Sequence, residues 1–199
     1  MFYKIAWLII YPFFRALFWI QYIGKENLPK DKGVIVCSNH ISNADPFFIG
    51  FGFRTPIHFI AKEELFHNPV LAWVLKKINA FPIKRGTGDM DALNVGADLL
   101  KNGERMGIFP EGRRSRDGKP GHAKSGIAMV ASLAKADVVP AAIICKGKVR
   151  PFKKIKVIYG KAIPYESLKI SGEVRGEYRK VASVIMTEIT KLWEDGHAN

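Results

Sequence analysis

Five short apolar runs punctuate the chain: GVIVC (33–37), IHFIA (57–61), AFPI (80–83), MGIF (106–109) and VVPAAII (138–144). Each has strand length, and none alternates strictly with polar residues, which is the pattern of strands covered on both faces. Between them lie segments with helical periodicity at 46–53, 68–78, 89–101 and 123–136. In the third, DMDALNVGADLLK, Asp89 or Asp91 can cap the start and Asn102-Gly103 can end it. Strands separated by single helices imply βαβ units. The expected fold is therefore α/β, a largely parallel central sheet with helices on both faces. Lys153–Tyr159 alternates like an edge strand. Val174, Tyr178, Val181, Ile185, Ile189 and Leu192 form a packing stripe on a last helix.

The first 22 residues break this pattern. MFYKIAWLIIYPFFRALFWIQY holds nine of the chain's 23 aromatic residues, and its uninterrupted apolar run, between Lys4 and Arg15, is ten residues long. A membrane span needs about 20. Eleven residues apart, Lys4 and Arg15 fall within about 20° of each other on a helical wheel. One basic stripe surrounded by aromatic residues suits the bilayer interface, so residues 1–24 read as a monotopic interfacial anchor and 25–199 as the globular domain. Pro12 is expected to kink this helix.

Charge sharpens the picture of partners. Lys and Arg number 31 against 18 Asp and Glu, a formal net charge of +13. That excess suits anionic partners such as acidic lipid, phosphorylated substrates or an acidic carrier protein. Nucleic acid is not expected, because the aromatic residues sit in the N-terminal segment and are not interleaved with the basic loops. Cys37 and Cys145 lie in apolar runs and read as buried thiols of a reducing compartment, with no Cys/His cluster to hold a metal.

In open α/β sheets ligands bind beyond the carboxyl ends of the strands, which directs attention to three loops. The first, SNHISNADP, contains His40 and Asp45. Spacing alone leaves two readings, a turn in which Asp45 caps a helix begun by Pro46, or a base oriented by a carboxylate. The second, FPIKRGTGD, offers Lys84 and Arg85 beside two glycines, which suits a phosphate or merely a solvated turn. The third, IFPEGRRSRDGKPGHAK, holds Glu111, Gly112, Arg113, Arg114, Arg116, Lys119, His122 and Lys124. Its length and basicity indicate an anion site, with Glu111 orienting an arginine or accepting a substrate hydroxyl. Amides near Gly112 or at the start of the 46–53 helix are candidate oxyanion donors. A serine hydrolase built on Ser38 or Ser42 is disfavoured, since no GxSxG elbow is present.

Taken in order, NHISNADP, AKEELF, AFPIKR, FPEGRRS and VVPAAI resemble the motif series of the glycerolipid acyltransferases, most closely the 1-acylglycerol-3-phosphate acyltransferases, over residues 25–160. The resemblance implies that His40 deprotonates a glycerol hydroxyl, that Asp45 orients His40, and that Arg85, Glu111 and Arg114 serve the phosphorylated acceptor; Lys84, Gly112 and Arg113, beside them in the same basic loops, are read as further substrate-binding residues. It implies lysophosphatidate as acceptor, phosphatidate as product, and acyl-CoA or acyl carrier protein as co-substrate, with no cofactor or metal. It places the protein peripherally on the cytoplasmic face of the cell membrane. Two positions depart from the family pattern. Arg113 stands where Thr is frequent, and Asn79-Ala80 and Pro82 replace part of the usual opening of the second block.

Overall fold

Every residue of the strand Val34–Ser38 is buried, and its side chains alternate between two cores. Ile35 and Cys37 pack with Ile127, Val130 and Ile185, whereas Val34 and Val36 pack with Phe48 and Ile49. A strand apolar on both faces demands a cover on each, and this sets the layering. The computed structural model describes residues 2–29, 32–53, 55–77, 79–83, 90–171, 174 and 176–198. In chain order the elements are α1 (Phe2–Leu17), β1 (Trp19–Ile23), β2 (Val34–Ser38), α2 (Asp45–Gly50), β3 (His58–Lys62), α3 (Pro69–Lys77), β4 (Ala80–Ile83), α4 (Met90–Lys101), β5 (Arg105–Ile108), α5 (Gly126–Ala134), β6 (Asp137–Cys145), β7 (Lys154–Tyr159) and α6 (Glu177–Ala198).

The seven strands lie in the order β1-β7-β6-β2-β5-β3-β4. Five run parallel, from β6 across to β4; β7 is antiparallel to β6 and parallel to β1. The expected α/β architecture, mostly parallel with helices on both faces, is therefore present. Helices α4, α5 and α6 cover one face. On α6, Val181, Ala182, Ile185, Met186 and Ile189 are all buried, each large aliphatic side chain contributing about 1.5–3 kcal/mol. Val174, which the stripe was expected to include, precedes the helix and is exposed.

Two elements differ from expectation. Trp19–Ile23, assigned by its aromatic content to the N-terminal segment 1–24, is a strand of the sheet, paired in register with Lys154–Ile158. Consequently β7 is interior, where alternation alone suggested an edge. Tyr11 and Phe14 of helix α1, with Phe18 just after it, pack on α2 and its C-cap residue Phe51, the Phe14 ring lying 4.9 Å from that of Phe47 and 5.3 Å from that of Phe51. Its 16 residues include Pro12, and among the described residues no helix is long and apolar enough to cross a membrane.

The far end of α2 is fastened by tyrosines. Tyr159 Oη donates to the Ile49 carbonyl at 2.7 Å, and Tyr22 Oη to that of Phe48 at 3.1 Å. A Cβ on Gly52 would lie 2.0 Å from Tyr159 Oη, so only glycine permits this approach. These contacts hold α2, and with it the residue that begins it, Asp45.

Candidate active site

β2 ends at Ser38, and the chain turns through residues 39–44 into α2. Asn39 extends the ladder with its side chain: Nδ2 donates to the Ile143 carbonyl at 2.9 Å, and Oδ1 accepts the Ile143 N–H at 2.8 Å. The next residue, His40, is thereby fixed at the carboxyl edge of the sheet, where β2 lies between β5 and β6. Its Nδ1 is 2.7 Å from Asp45 Oδ2. The same oxygen accepts the N–H groups of Ile41 at 2.6 Å and Ser42 at 2.8 Å. An oxygen that accepts two backbone N–H groups has no proton to offer the ring, so Nδ1 carries the hydrogen and Nε2 is left with its lone pair. The imidazole stacks on Phe109 (centroids 4.3 Å apart, planes at 16°), and Phe109 is stacked with Phe59 beyond it.

Asp45 is fully buried, and it does not cap α2. The N-cap position is Ala44, and the Asp45 carboxylate turns back onto the loop. Its Oδ1 has no hydrogen-bond partner among the described residues. All three bonds are thus concentrated on the oxygen that faces His40.

The loop after β5 clamps His40 from the other side. The buried Glu111 accepts the His40 N–H through Oε1 at 3.1 Å, and the Ser115 N–H donates to the His40 carbonyl at 2.7 Å. Glu111 also accepts the Gly121 N–H, and Lys124 N–H closes the loop onto the Pro110 carbonyl at 2.8 Å. Burial raises the Glu111 carboxyl above its ordinary value, opposed by these amide bonds. Glu111 therefore staples loops together through backbone groups and meets no arginine among the described residues. Gly112 takes the left-handed turn (φ +68°), and a Cβ there would press on Lys124 at 3.1–3.2 Å. The turn projects Arg113 and Arg114 to solvent, between the two residues that grip His40; neither pairs with a carboxylate among the described residues.

Lys84 and Arg85 lie outside the described residues. The strand that leads to them, β4, is three positions from β2 at the same sheet end, about 14 Å away. The amides expected as oxyanion donors are engaged: Gly112 N–H with the Phe109 carbonyl, and those of Phe47 and Phe48 with Ala44. Ser38 Oγ is buried and donates to the Asn39 carbonyl, and Ser42 Oγ accepts the Ala44 N–H, so neither sits as a nucleophile on His40. Asn39, Phe109 and Ser115 were not singled out by sequence, because their roles are contacts with distant segments. Among the described residues no three His, Cys, Asp or Glu side chains gather as a metal site. Cys37 is buried, its thiol pushed up by burial, whereas Cys145 is only half-buried, contrary to expectation.

Residues 19–144 match the family model described as Acyltransferase. The chain belongs to the acyltransferase family. Within it, the chain is 39% identical over 124 residues to the 1-acyl-sn-glycerol-3-phosphate acyltransferase of Bacillus subtilis (strain 168), covering 62% of this chain and 61% of that protein. It is 34% identical over 145 residues to a chloroplastic 1-acyl-sn-glycerol-3-phosphate acyltransferase of Arabidopsis thaliana, covering 71% and 39%. The chain thus spans less than two thirds of these curated relatives' length. The crystal structure of the 1-acyl-sn-glycerophosphate (LPA) acyltransferase PlsC from Thermotoga maritima aligns with TM-score 0.74 at 27% identity, over 99% of this chain and 79% of that one. The resemblance drawn from the ordered motifs and the α/β fold are both upheld.

Proposed function

We propose that this acyltransferase moves a fatty acyl group from a thioester donor, acyl-CoA or acyl carrier protein, to the free hydroxyl of lysophosphatidate, forming phosphatidate. The observation that carries the reading is the gripping of His40: Asp45 on its ring, Glu111 and Ser115 on its backbone, and Arg113 and Arg114 between those last two. His40 Nε2 takes the hydroxyl proton as the oxygen attacks the thioester carbonyl. The tetrahedral intermediate collapses with loss of the C–S bond, and the imidazolium returns the proton to the departing thiolate. Asp45 stabilises the transient imidazolium. A thioester is already an activated acyl donor, so the step calls for no covalent enzyme intermediate and no cofactor.

Arg114, Arg113 and, from the β4 side, Lys84 and Arg85 hold the acceptor phosphate and so select which hydroxyl faces His40, with Glu111 and Gly112 shaping the loop that presents it. Residues 2–17 form an interfacial membrane helix on the cytoplasmic leaflet, and the remainder is the acyltransferase domain. Its exposed Leu8 and Phe13 support this assignment.

The test is acyl transfer by purified protein in detergent or vesicles, across donors and lysolipid acceptors. His40→Ala should lose about 10²–10⁴-fold in kcat while melting at the wild-type temperature. Substantial turnover by a folded His40→Ala protein would remove His40 from the chemistry, and preference for a phosphate-free acceptor would remove the arginines from their role.

A further inference from the structure

The double hydrogen bond between Asn39 and Ile143 sets the end of β6 beside His40. Beyond it the chain turns back through Lys146–Lys153 and enters β7, which runs away from that edge. The nine residues KGKVRPFKK (146–154) carry five cations and no carboxylate. Lys146, Lys148, Arg150 and Lys154 are exposed, and none forms an ion pair among the described residues.

In the middle of this charge sits Phe152, 69% exposed and in the left-handed region at φ +64°. A phenylalanine gains nothing from that backbone, which Gly or Asn adopts with less strain. At that exposure it gains nothing from the core either. Its N–H is bonded to the Leu17 carbonyl at 2.7 Å, and the Lys153 carbonyl accepts the N–H of Trp19, itself 66% exposed. Two large exposed aromatic residues therefore stand on hydrogen-bonded, adjoining segments, within and beside a cation-rich turn, at the sheet end where His40 lies. Phe13, also exposed, is on the last turns of α1 just before them.

We infer that the β6–β7 turn is a docking surface for an anionic bilayer, in which Phe152 and Trp19 enter the interface while Lys146, Lys148, Arg150 and Lys154 meet lipid phosphates. Aromatic rings at headgroup depth with basic residues beside them are the composition that interfacial binding requires. The surface is distinct from α1, and together the two bring the His40 edge against the membrane. Its purpose rests on the lipid acyltransferase reading, but the contact itself does not involve turnover.

The experiment is flotation of the full chain with phosphatidylcholine vesicles, with and without phosphatidylglycerol. Each cation is worth about fivefold near an anionic surface. The triple variant Lys146→Gln, Lys148→Gln, Arg150→Gln should therefore bind phosphatidylglycerol vesicles about a hundredfold more weakly. Phe152→Asn suits the left-handed backbone, so it should fold at least as stably and still lose about tenfold in binding to both vesicle types. Both variants should turn over a short-chain, monomeric acceptor as the wild type does. Wild-type vesicle binding by folded variants would overturn the inference. So would a triple variant that keeps vesicle binding but shows a raised donor KM, which would assign the cations to the thioester donor. Loss of all acyl transfer with vesicle binding unchanged in wild-type protein would instead count against the enzymatic reading alone.

Discussion

The two loops that meet at His40 leave adjacent strands, β2 and β5, and follow opposite plans. Residues 38–45 carry one carboxylate, fully buried, and turn their polar side chains onto nearby backbone: Asn39 to Ile143, Ser42 to Ala44, Asp45 to Ile41 and Ser42. Residues 109–124 expose Arg113, Arg114, Arg116, Asp117 and Lys119, and send only Glu111 inward. The first loop fixes the His40 ring, because buried, hydrogen-bonded polar groups have few alternative positions. The second displays charge, which works best where water still lets long side chains adjust to a ligand. The two buried carboxylates divide along the same line. Asp45 faces an imidazole, whereas Glu111 faces amides.

The sharpest way to break this comparison is Asp45→Asn. The amide oxygen can occupy the place of Oδ2 and keep all three hydrogen bonds, including that from His40 Nδ1. The NH₂ group then falls where Oδ1 now has no partner among the described residues. The ring keeps its tautomer and loses only the negative charge. Acyl transfer should fall about 10- to 100-fold, the worth of a hydrogen bond to a charged group, and less than in His40→Ala. The buried, unpaired NH₂ should cost about 1–3 kcal/mol in urea unfolding. Turnover at the wild-type level would show that Asp45 serves the loop fold and not the ring.

On the display side the effect should be smaller and confined to binding. Arg114→Ala should raise the acceptor KM about tenfold and leave stability within about 0.5 kcal/mol, as for an exposed side chain that forms no ion pair among the described residues. Arg113→Ala reports whether the second cation shares that load. A change in donor KM alone would assign the loop to the other substrate.

The contrast was only half legible in the sequence. Strands covered on both faces announce themselves as apolar runs, so β2 to β6 lie within one residue of their expected bounds. β1 was lost because WIQYI is aromatic and follows an apolar helix; its pairing with β7 depends on a segment more than 130 residues away. Periodicity reports how many faces are covered, not which strand lies alongside, and for the same reason β7 looked like an edge. α5 begins at Gly126 and not at 123, since residues 123–125 still belong to the loop that Lys124 closes. At the site, the residue types of both loops were evident. Spacing alone leaves Asp45 open between a cap and an imidazole partner, because both call for the same residue before a proline. Glu111 suggests an arginine partner or a substrate hydroxyl and not a staple, because its amide partners belong to residues elsewhere in the chain and carry no mark in composition. Because residues 19–23 form an edge strand, Leu8→Asp and Phe13→Asp on α1 probe the proposed membrane helix without removing part of the sheet.

The smallest predicted effect distinguishes the two carboxylates by pH. Burial holds the folded-state value of Glu111 above that of an unfolded glutamate. A raised carboxyl binds its proton more tightly in the folded state. Its stabilising contribution is therefore full below the unfolded value and is lost as pH rises through the folded one. At neutral pH the protein carries the cost of an ionised Glu111, which its two amide bonds reduce but do not cancel. Glu111→Gln has no such dependence, although it sets an NH₂ against one of the amides and is less stable throughout. Its deficit relative to wild type should accordingly be largest near pH 4 and shrink towards pH 7 in parallel urea unfolding curves. A deficit that grows with pH would mean that the amides and surrounding cations hold Glu111 ionised. The staple would then act by charge, as the Asp45 side of the site does, and the division between the two loops would have to be redrawn.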